Sequence, residues 1–285
     1  MSFHFHPFLL LATALALLAS GLGVRVAAQD FEPDQLDRII MSACHQSSPP
    51  GPDVSIKRLG EDGSLLLTNG QSFLPEGISI PSRLTPDARM VDTARVTVSS
   101  TLQGQVMRLT ESRTDRYGRL NGQAVFESGE DVTMVLLRAG AGTVRPVETH
   151  PPRTRHRRRA NAACNKARLD SENKARQAGK GIWAHSNVII NAQNDVALAA
   201  HAGLFTLVEG QVRAVGVTRN RIYINFGPRW SEDFTIMLAR KDFATIFGDD
   251  LDPAMLRGTF MRVRGVVQEE GGPAIFIHKA EDVAW

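Results

Sequence analysis

The sequence has only two cysteines, Cys44 and Cys164, among its 285 residues. Two cysteines allow at most one disulfide, which would close a long loop and would need an oxidising compartment. The alternative is a pair of free thiols, because cysteine also serves as a small buried apolar residue. Neither cysteine has a histidine at the spacing of a zinc site, so zinc binding is not predicted. The sequence leaves the disulfide and the free thiols as open alternatives.

Motifs of several enzyme classes are missing as well. The sequence has no Gly-rich phosphate loop, no Gly-x-Ser-x-Gly turn and no His-Glu-x-x-His helix. A strong excess of charge is also lacking: the formal net charge is +3, and removing residues 1–28, which hold one arginine and no acid, lowers it by one to +2. Any attraction to a polyanion must therefore come from local clusters of basic residues.

Long apolar runs are absent except at the amino terminus. Residues 8–19 form an unbroken run of apolar or small residues, and Val26-Ala27-Ala28 offers small residues for cleavage. Such a run is too short to span a bilayer as a helix, so residues 1–28 are predicted to be a signal peptide. The alternatives are an uncleaved anchor and a buried helix. The predicted location is the periplasm or the outside of the cell, with no stable membrane span after leader removal.

The predicted elements divide the rest of the chain into two domains. Asn69-Gly70 between apolar runs predicts a β-hairpin, and apolar spacing predicts helices over 31–43, 85–102 and up to Gln177. After residue 203, three strands, a helix and two strands follow one another, which is the order of an OB barrel. The parts are an N-terminal helix and linker (31–52), a first domain (53–184), a linker (185–202) and a second domain (203–285).

Three stretches resemble the staphylococcal nuclease (thermonuclease) family. Residues 114–119 read Thr-Asp-Arg-Tyr-Gly-Arg, residues 77–81 read Gly-Ile-Ser-Ile-Pro, and the long helix is followed by Gly-Ile-Trp-Ala at 181–184. The resemblance covers roughly residues 54–184. It implies an α+β fold class, mainly β with helices: a staphylococcal-nuclease-type OB-fold barrel, followed by a second OB-like five-stranded barrel.

The resemblance also implies a catalytic set, most of which this sequence lacks. Arg119 falls on the motif's arginine and is the one phosphate clamp that is kept. The alternative is a structural role, in which Arg119 pairs with Asp115 or bonds to a carbonyl of the turn. Other residues stand at the remaining positions: Leu74 for the second arginine, Ser79 for an aspartate, Ser82 for a glutamate, and Glu61 and Asp62 for an early metal motif. Serines do not replace carboxylates as ligands of a hard cation. No cofactor is therefore expected, and Ca²⁺ is expected only if an active nuclease site survives.

Two further groups of residues are candidates for binding anions. Five arginines precede or open the long helix, where they oppose the helix dipole and suit an external anion such as phosphate; they are Arg153, Arg155, Arg157, Arg158 and Arg159. A solvated loop is the alternative. In the second domain, basic and aromatic residues are interleaved as on single-strand binding surfaces; they are Arg219, Arg221, Tyr223 and Trp230. Packing of Trp230 into a barrel end is the alternative there.

The sequence therefore predicts an exported thermonuclease-like protein with a degenerate catalytic centre that binds nucleic acid or another polyanion. One alternative is an active metal-dependent nuclease with a rearranged site, built from Glu61, Asp62, Glu76 and Arg119. Another is a cell-envelope module that binds protein, in which the arginines contact an acidic partner or lipid.

Overall fold

The structure, a computed structural model, describes Cys44 and residues 51–147, 155–229 and 232–285. The predicted signal peptide and the predicted helix at 31–43 lie outside these residues. Within the described ranges, no helix combines the length and the apolarity that a membrane crossing requires.

Five strands of the first domain close into a barrel in the order β1-β2-β3-β6-β5. Neighbouring strands are antiparallel except β3 and β6, which are parallel. The domain contains, in chain order, β1 (Asp53–Leu59), β2 (Leu65–Leu67), β3 (Ser72–Pro75), β4 (Ile78–Ser79), α1 (Ala88–Leu102), β5 (Val106–Thr114), β6 (Leu120–Phe126), α2 (Val132–Ala139), β7 (Thr143–Val144) and α3 (Arg155–Gln177). A 3-10 helix at Gly181–Ala184 follows. The closed barrel with its helices confirms the predicted α+β fold class and first barrel.

Local chemistry explains where two helices of the first domain begin and end. Asp87 accepts a hydrogen bond from the Arg89 amide at 2.9 Å and caps α1. Asp131 does the same for α2 through the Met134 amide at 2.8 Å. Gly140, at φ 75°, then ends α2 in the left-handed conformation that glycine adopts most easily.

A repeat of four residues buries one face of α1 against the barrel. Met90, Ala94, Val98 and Leu102 form this face, and all belong to the core that Leu65, Leu67 and Phe73 share. Residues four apart lie above one another on a helix, so the stripe is continuous. The barrel and α1 are therefore held by one common apolar core.

The second domain contains a five-stranded and a four-stranded sheet, and the predicted OB-like five-stranded barrel is not shown. The strand order is β10-β11-β12-β15-β14 in the first sheet and β16-β13-β9-β8 in the second, where β8 is Ile189–Asn191. The elements are β9 (Phe205–Gln211), β10 (Ala214–Val217), β11 (Arg221–Asn225), β12 (Thr235–Ala239), α5 (Phe243–Phe247), β13 (Phe260–Val266), β14 (Gln268–Glu269), β15 (Pro273–Phe276) and β16 (Val283–Ala284). The chain leaves one sheet for the other at the buried residues Val212 and Val267. At these two positions the hydrogen-bonded pairing of one sheet ends and that of the other begins. The two sheets pack around one apolar core.

The segment 185–202 was predicted to be a linker, and the structure corrects this. It contains β8 (Ile189–Asn191) and α4 (Asp195–Ala200). β8 pairs in parallel with β9, and Ile190 and Leu198 are buried in the second core. The segment therefore packs on the second domain through Ile190, Ala192 and Leu198, whereas Val188 belongs to the core of the first domain.

A buried ion pair joins the two domains. Arg264 of β13 donates from Nη2 to Glu172 Oε1 at 2.8 Å and from Nη1 to Oε2 at 3.1 Å, and Glu172 lies in α3. The exposed side-chain fractions are 2% for Glu172 and 9% for Arg264. The same two side chains bond to both backbone groups of Val144 in β7. Lys279 adds bonds to the carbonyls of Pro146 and Val147 at 3.0 and 3.2 Å.

A disulfide joins Cys44 to Cys164, which lies in α3. Their Cα atoms are 5.2 Å apart, and 120 positions separate them in the sequence. Both side chains are buried. Of the two alternatives that the sequence left open, the structure therefore contains the disulfide.

Replacing Arg264 by Met should lower the free energy of unfolding by about 3–5 kcal/mol, because it leaves the Glu172 carboxylate buried without its cation. Adding Glu172→Gln should recover much of this loss. Urea denaturation of both variants measures the effect. Arg262→Met is the matched control, because Arg262 lies on the same strand but forms a more exposed pair with Glu209, and it should cost about 1 kcal/mol or less. Equal losses for Arg264→Met and Arg262→Met would contradict this account of the interface.

Changing Cys44 and Cys164 to Ser should lower the free energy of unfolding by about 4–5 kcal/mol, because the bond closes a loop of more than a hundred residues. Mass spectrometry of the oxidised protein should give a mass two hydrogen atoms below that of the reduced protein. Two alkylatable thiols in protein purified from an oxidising compartment would contradict the bond.

Candidate functional site

A tight turn between β5 and β6 holds the motif that carries Arg119. The Asp115 amide donates to the Arg119 carbonyl at 2.8 Å, and the Gly118 amide donates to the Asp115 carbonyl at 3.0 Å. Asp115 Oδ1 accepts from the amides of Tyr117 and Arg119 at 2.8 and 3.0 Å. Gly118 has φ 78°, which favours glycine. The turn therefore fixes the direction in which the Arg119 side chain leaves the barrel.

Two carboxylates hold the Arg119 guanidinium. Nε and Nη2 lie 2.9 and 2.8 Å from Asp115 Oδ2, and Nη1 donates to Asp62 Oδ2 at 3.0 Å. The ring of the exposed Tyr117 lies 5.1 Å from the guanidinium carbon. The Arg119 side chain is 26% exposed. One cation and two carboxylates give this group one net negative charge, so Arg119 is engaged within the protein.

Arg119 stabilises the ionised forms of Asp62 and Asp115, and the two carboxylates stabilise the charged form of Arg119 in return. Burial raises the pKa of Asp62, but hydrogen bonds from Ser64 and Arg119 outweigh burial and hold the pKa below its ordinary value of 3.8. For Asp115, burial is likewise outweighed by bonds from Arg119, and its pKa is also lowered. Burial lowers the pKa of Arg119, yet bonds to both carboxylates raise it overall. All three groups are therefore ionised at neutral pH.

The loop that carries Asp62 packs against the segment that carries the two serines. Asp62 Oδ1 accepts from the Ser64 amide at 3.1 Å and from Ser64 Oγ at 2.6 Å. The Arg83 amide donates to the Glu61 carbonyl at 2.7 Å. A Cβ on Gly63 would lie 2.8 Å from the Ile80 carbonyl oxygen. The structure therefore brings together Arg119, Asp62 and the segment of Ser79 and Ser82.

The donor set at this place does not fit a hard divalent cation. Both oxygens of Asp62 are engaged, one by Ser64 and the other by Arg119. Glu61 faces Arg83 at 3.7 Å, and Glu76 accepts from Gln123 at 3.5 Å. In the described part of the chain, no group of three His, Cys, Asp or Glu side chains could hold a metal ion. Ca²⁺ needs several oxygen ligands that include free carboxylates, so the rearranged set of Glu61, Asp62 and Glu76 is not assembled.

The position that the family resemblance assigns to a second arginine holds an apolar side chain, Leu74. Leu74 lies in β3 opposite Asn121 of β6, and the preceding pair is Phe73 with Leu120. Arg119 directly precedes Leu120. Leu74 therefore lies on the strand beside Arg119, where it adds no charge to the site.

The other predicted residues fall in different parts of the chain. Arg153 and Trp230 lie outside the described residues, and for Arg155, Arg157, Arg158 and Arg159 the structure describes only the helical backbone of α3. Arg221 and Tyr223 lie on β11, and the exposed Arg219 lies in the turn before it. Nothing in the structure brings these second-domain residues to Arg119.

Sequence reasoning missed several residues that these sites use. Asp62 was considered as a metal ligand, and its bond to Arg119 was not foreseen because 57 residues separate the two. In the second domain, Phe276 lies 5.4 Å from the Arg221 guanidinium, which only the parallel pairing of β12 with β15 makes possible.

A family model described as staphylococcal nuclease homologue matches residues 78–185. The match begins at β4 and ends just after the 3-10 helix at Gly181–Ala184. It therefore includes the turn that holds Arg119 and the segment of Ser79 and Ser82. A search among curated proteins found no match to the chain. Residues 78–185 therefore form a domain that is similar to the staphylococcal nuclease homologue family.

Proposed function

We propose that this protein is an exported, catalytically degenerate nuclease homologue that binds nucleic acid or another polyanion. The family itself suggests a nuclease or a nucleic-acid-binding protein. The observation that carries the degenerate reading is the engagement of Arg119 by Asp115 and Asp62, beside Leu74, Ser79 and Ser82.

Phosphodiester hydrolysis needs groups that this site does not offer together. The attacking water must be activated, and negative charge that builds on the phosphate oxygens must be stabilised. Loss of one such group commonly lowers the rate by about 10²–10³. A centre without the second arginine, the glutamate and a free metal carboxylate combines several such losses, which supports the absence of turnover.

Binding of an anion at Arg119 requires an exchange of partners. Asp115 belongs to the same turn and bonds to two of its amides, so it stays in place. Asp62 comes from a separate loop and makes one contact to the guanidinium, through Nη1. A phosphate oxygen can take the place of Asp62, since guanidinium groups bind both kinds of oxyanion. The arginines of residues 153–159 are proposed to add attraction for the rest of the polymer.

The disulfide supports the proposed export. Disulfides persist mainly in the periplasm and outside the cell, where the environment is oxidising. The bond between Cys44 and Cys164 lies in the mature part of the chain. It agrees with the leader predicted for residues 1–28.

Purified protein of residues 29–285 should not cleave single- or double-stranded DNA with Ca²⁺ or with EDTA, because the donor set for the metal and the second clamp are missing. Release of acid-soluble nucleotides measures cleavage. Arg119→Ala serves as the control for contaminating nucleases, since contamination persists in that variant. Cleavage that requires both Ca²⁺ and Arg119 would overturn the degenerate reading in favour of an active metal-dependent nuclease.

Changing Asp62 to Asn should tighten binding of a DNA duplex of about 20 base pairs by about 3- to 10-fold at low salt, because it removes the carboxylate that competes for Arg119. Arg119→Ala should weaken the same binding, and fluorescence anisotropy measures both. Asp92→Asn is the matched control, because Asp92 also pairs with an arginine, Arg95, but on the exposed face of α1. Equal changes for Asp62→Asn and Asp92→Asn would mean that only net charge matters and that Arg119 is no anion site.

A further inference from the structure

A row of side chains crosses four strands on one face of the five-stranded sheet in the second domain. Gly216 of β10 lies opposite Tyr223 of β11, Tyr223 opposite Met237 of β12, and Met237 opposite Phe276 of β15. The neighbours Ile222, Ile224, Ile236 and Ile275 belong to the core. Because strand residues alternate between faces, the row lies on the side away from the core. This face therefore carries the half-buried rings of Tyr223 and Phe276 on either side of Met237, which is itself buried.

A cleft adjoins this row at the edge strand β10. Its volume is about 620 Å³, and its lining includes Arg213, Gly216, Asn225 and Arg257. Gly216 belongs both to the lining and to the row, and Asn225 lies two positions from Tyr223 on the same face of β11. The cleft and the row are therefore continuous; together they are called the Tyr223 strip.

Gly216, which has no side chain, leaves the space between the cleft and the Tyr223 side chain unfilled. A Cβ at this position would lie 3.9 Å from the Tyr223 Cβ, which is ordinary contact. Gly216 is not among the glycines with positive φ, so its backbone accepts other residues. A longer side chain at position 216 would lie beside Tyr223 and fill this space without straining the backbone of β10.

Four arginines give the Tyr223 strip a positive charge. Arg213 and Arg257 line the cleft, and Arg219 and Arg221 lie at the turn and strand start at the other end of β11. Arg221 places its guanidinium 5.4 Å from the ring of Phe276. None of the four forms an ion pair within the described residues, whereas Arg229, Arg262 and Arg264 of the same domain are paired with acids. The free cations are thus concentrated beside the aromatic rings.

We propose that the Tyr223 strip is a second binding site, for single-stranded nucleic acid. Bases stack on Tyr223 and on the Arg221–Phe276 pair, and phosphates lie near Arg213 and Arg257. Single strands present both an unpaired ring and a phosphate at each nucleotide, whereas a duplex hides its rings. The inference extends the proposed function from the Arg119 site to a separate site on the other domain, where it names the form of the ligand.

Binding of oligothymidylate of about 12 nucleotides, measured by fluorescence anisotropy, tests the strip. Tyr223→Ala should weaken binding about 5- to 100-fold, as expected for loss of one stacking platform. Gly216→Leu should weaken it at least as much while thermal unfolding stays unchanged. Arg213→Gln with Arg257→Gln should lower the slope of log affinity against log salt by about 1–2. Arg262→Gln, on the other sheet, is the control and should leave the affinity within about twofold.

The outcomes separate this site from the Arg119 site. Loss of oligothymidylate binding in Gly216→Leu and Tyr223→Ala, with duplex binding intact, supports the strip even if Arg119→Ala has no effect on any ligand. Oligothymidylate binding that is unchanged in both strip variants overturns the strip, whether or not Arg119→Ala weakens it. Equal affinity of the wild-type protein for the oligonucleotide and for an acidic peptide of the same charge also overturns it, because the rings would then contribute nothing.

Discussion

The bond between Glu172 and Arg264 is the interaction on which the arrangement of the two domains depends. It joins α3 of the first domain to β13 of the second and binds both backbone groups of Val144 in β7. Two buried charges are costly unless each is paired, so separating the domains would leave Glu172 and Arg264 each without its partner.

The Arg119 site shows how a guanidinium on a barrel is satisfied by carboxylates of the same protein. An unpaired guanidinium beside a barrel would attract whatever anion is present, whereas Asp115 and Asp62 satisfy it from within. The bonds from Arg119 to Asp115 and Asp62 connect the turn between β5 and β6 to the loop from Gly60 to Ser64 and stabilise both. Structural use and ligand binding are thus compatible at this place, because only the Asp62 contact has to be exchanged.

Local chemistry made much of the first domain predictable, and long-range pairing limited the rest. The helix caps Asp131 and Gly140 and the spacing of Met90, Ala94 and Val98 act within a few residues, so the sequence displays them directly. β8 could not be recognised, because three residues carry no periodicity and its parallel partner lies further along the chain. The motif located Arg119, but its pairing with Asp62 depends on barrel closure, which no local pattern encodes.

The disulfide also imposes an order of events on synthesis. Cys44 emerges first, and its partner follows 120 positions later, after the barrel strands and α1 and α2. The native bond cannot form until Cys164 of α3 has reached the same compartment as Cys44, after most of the first domain has been synthesised. Closure of this one bond thus marks the completion of the first domain, and chains truncated before α3 remain distinguishable by their unpaired sulfur.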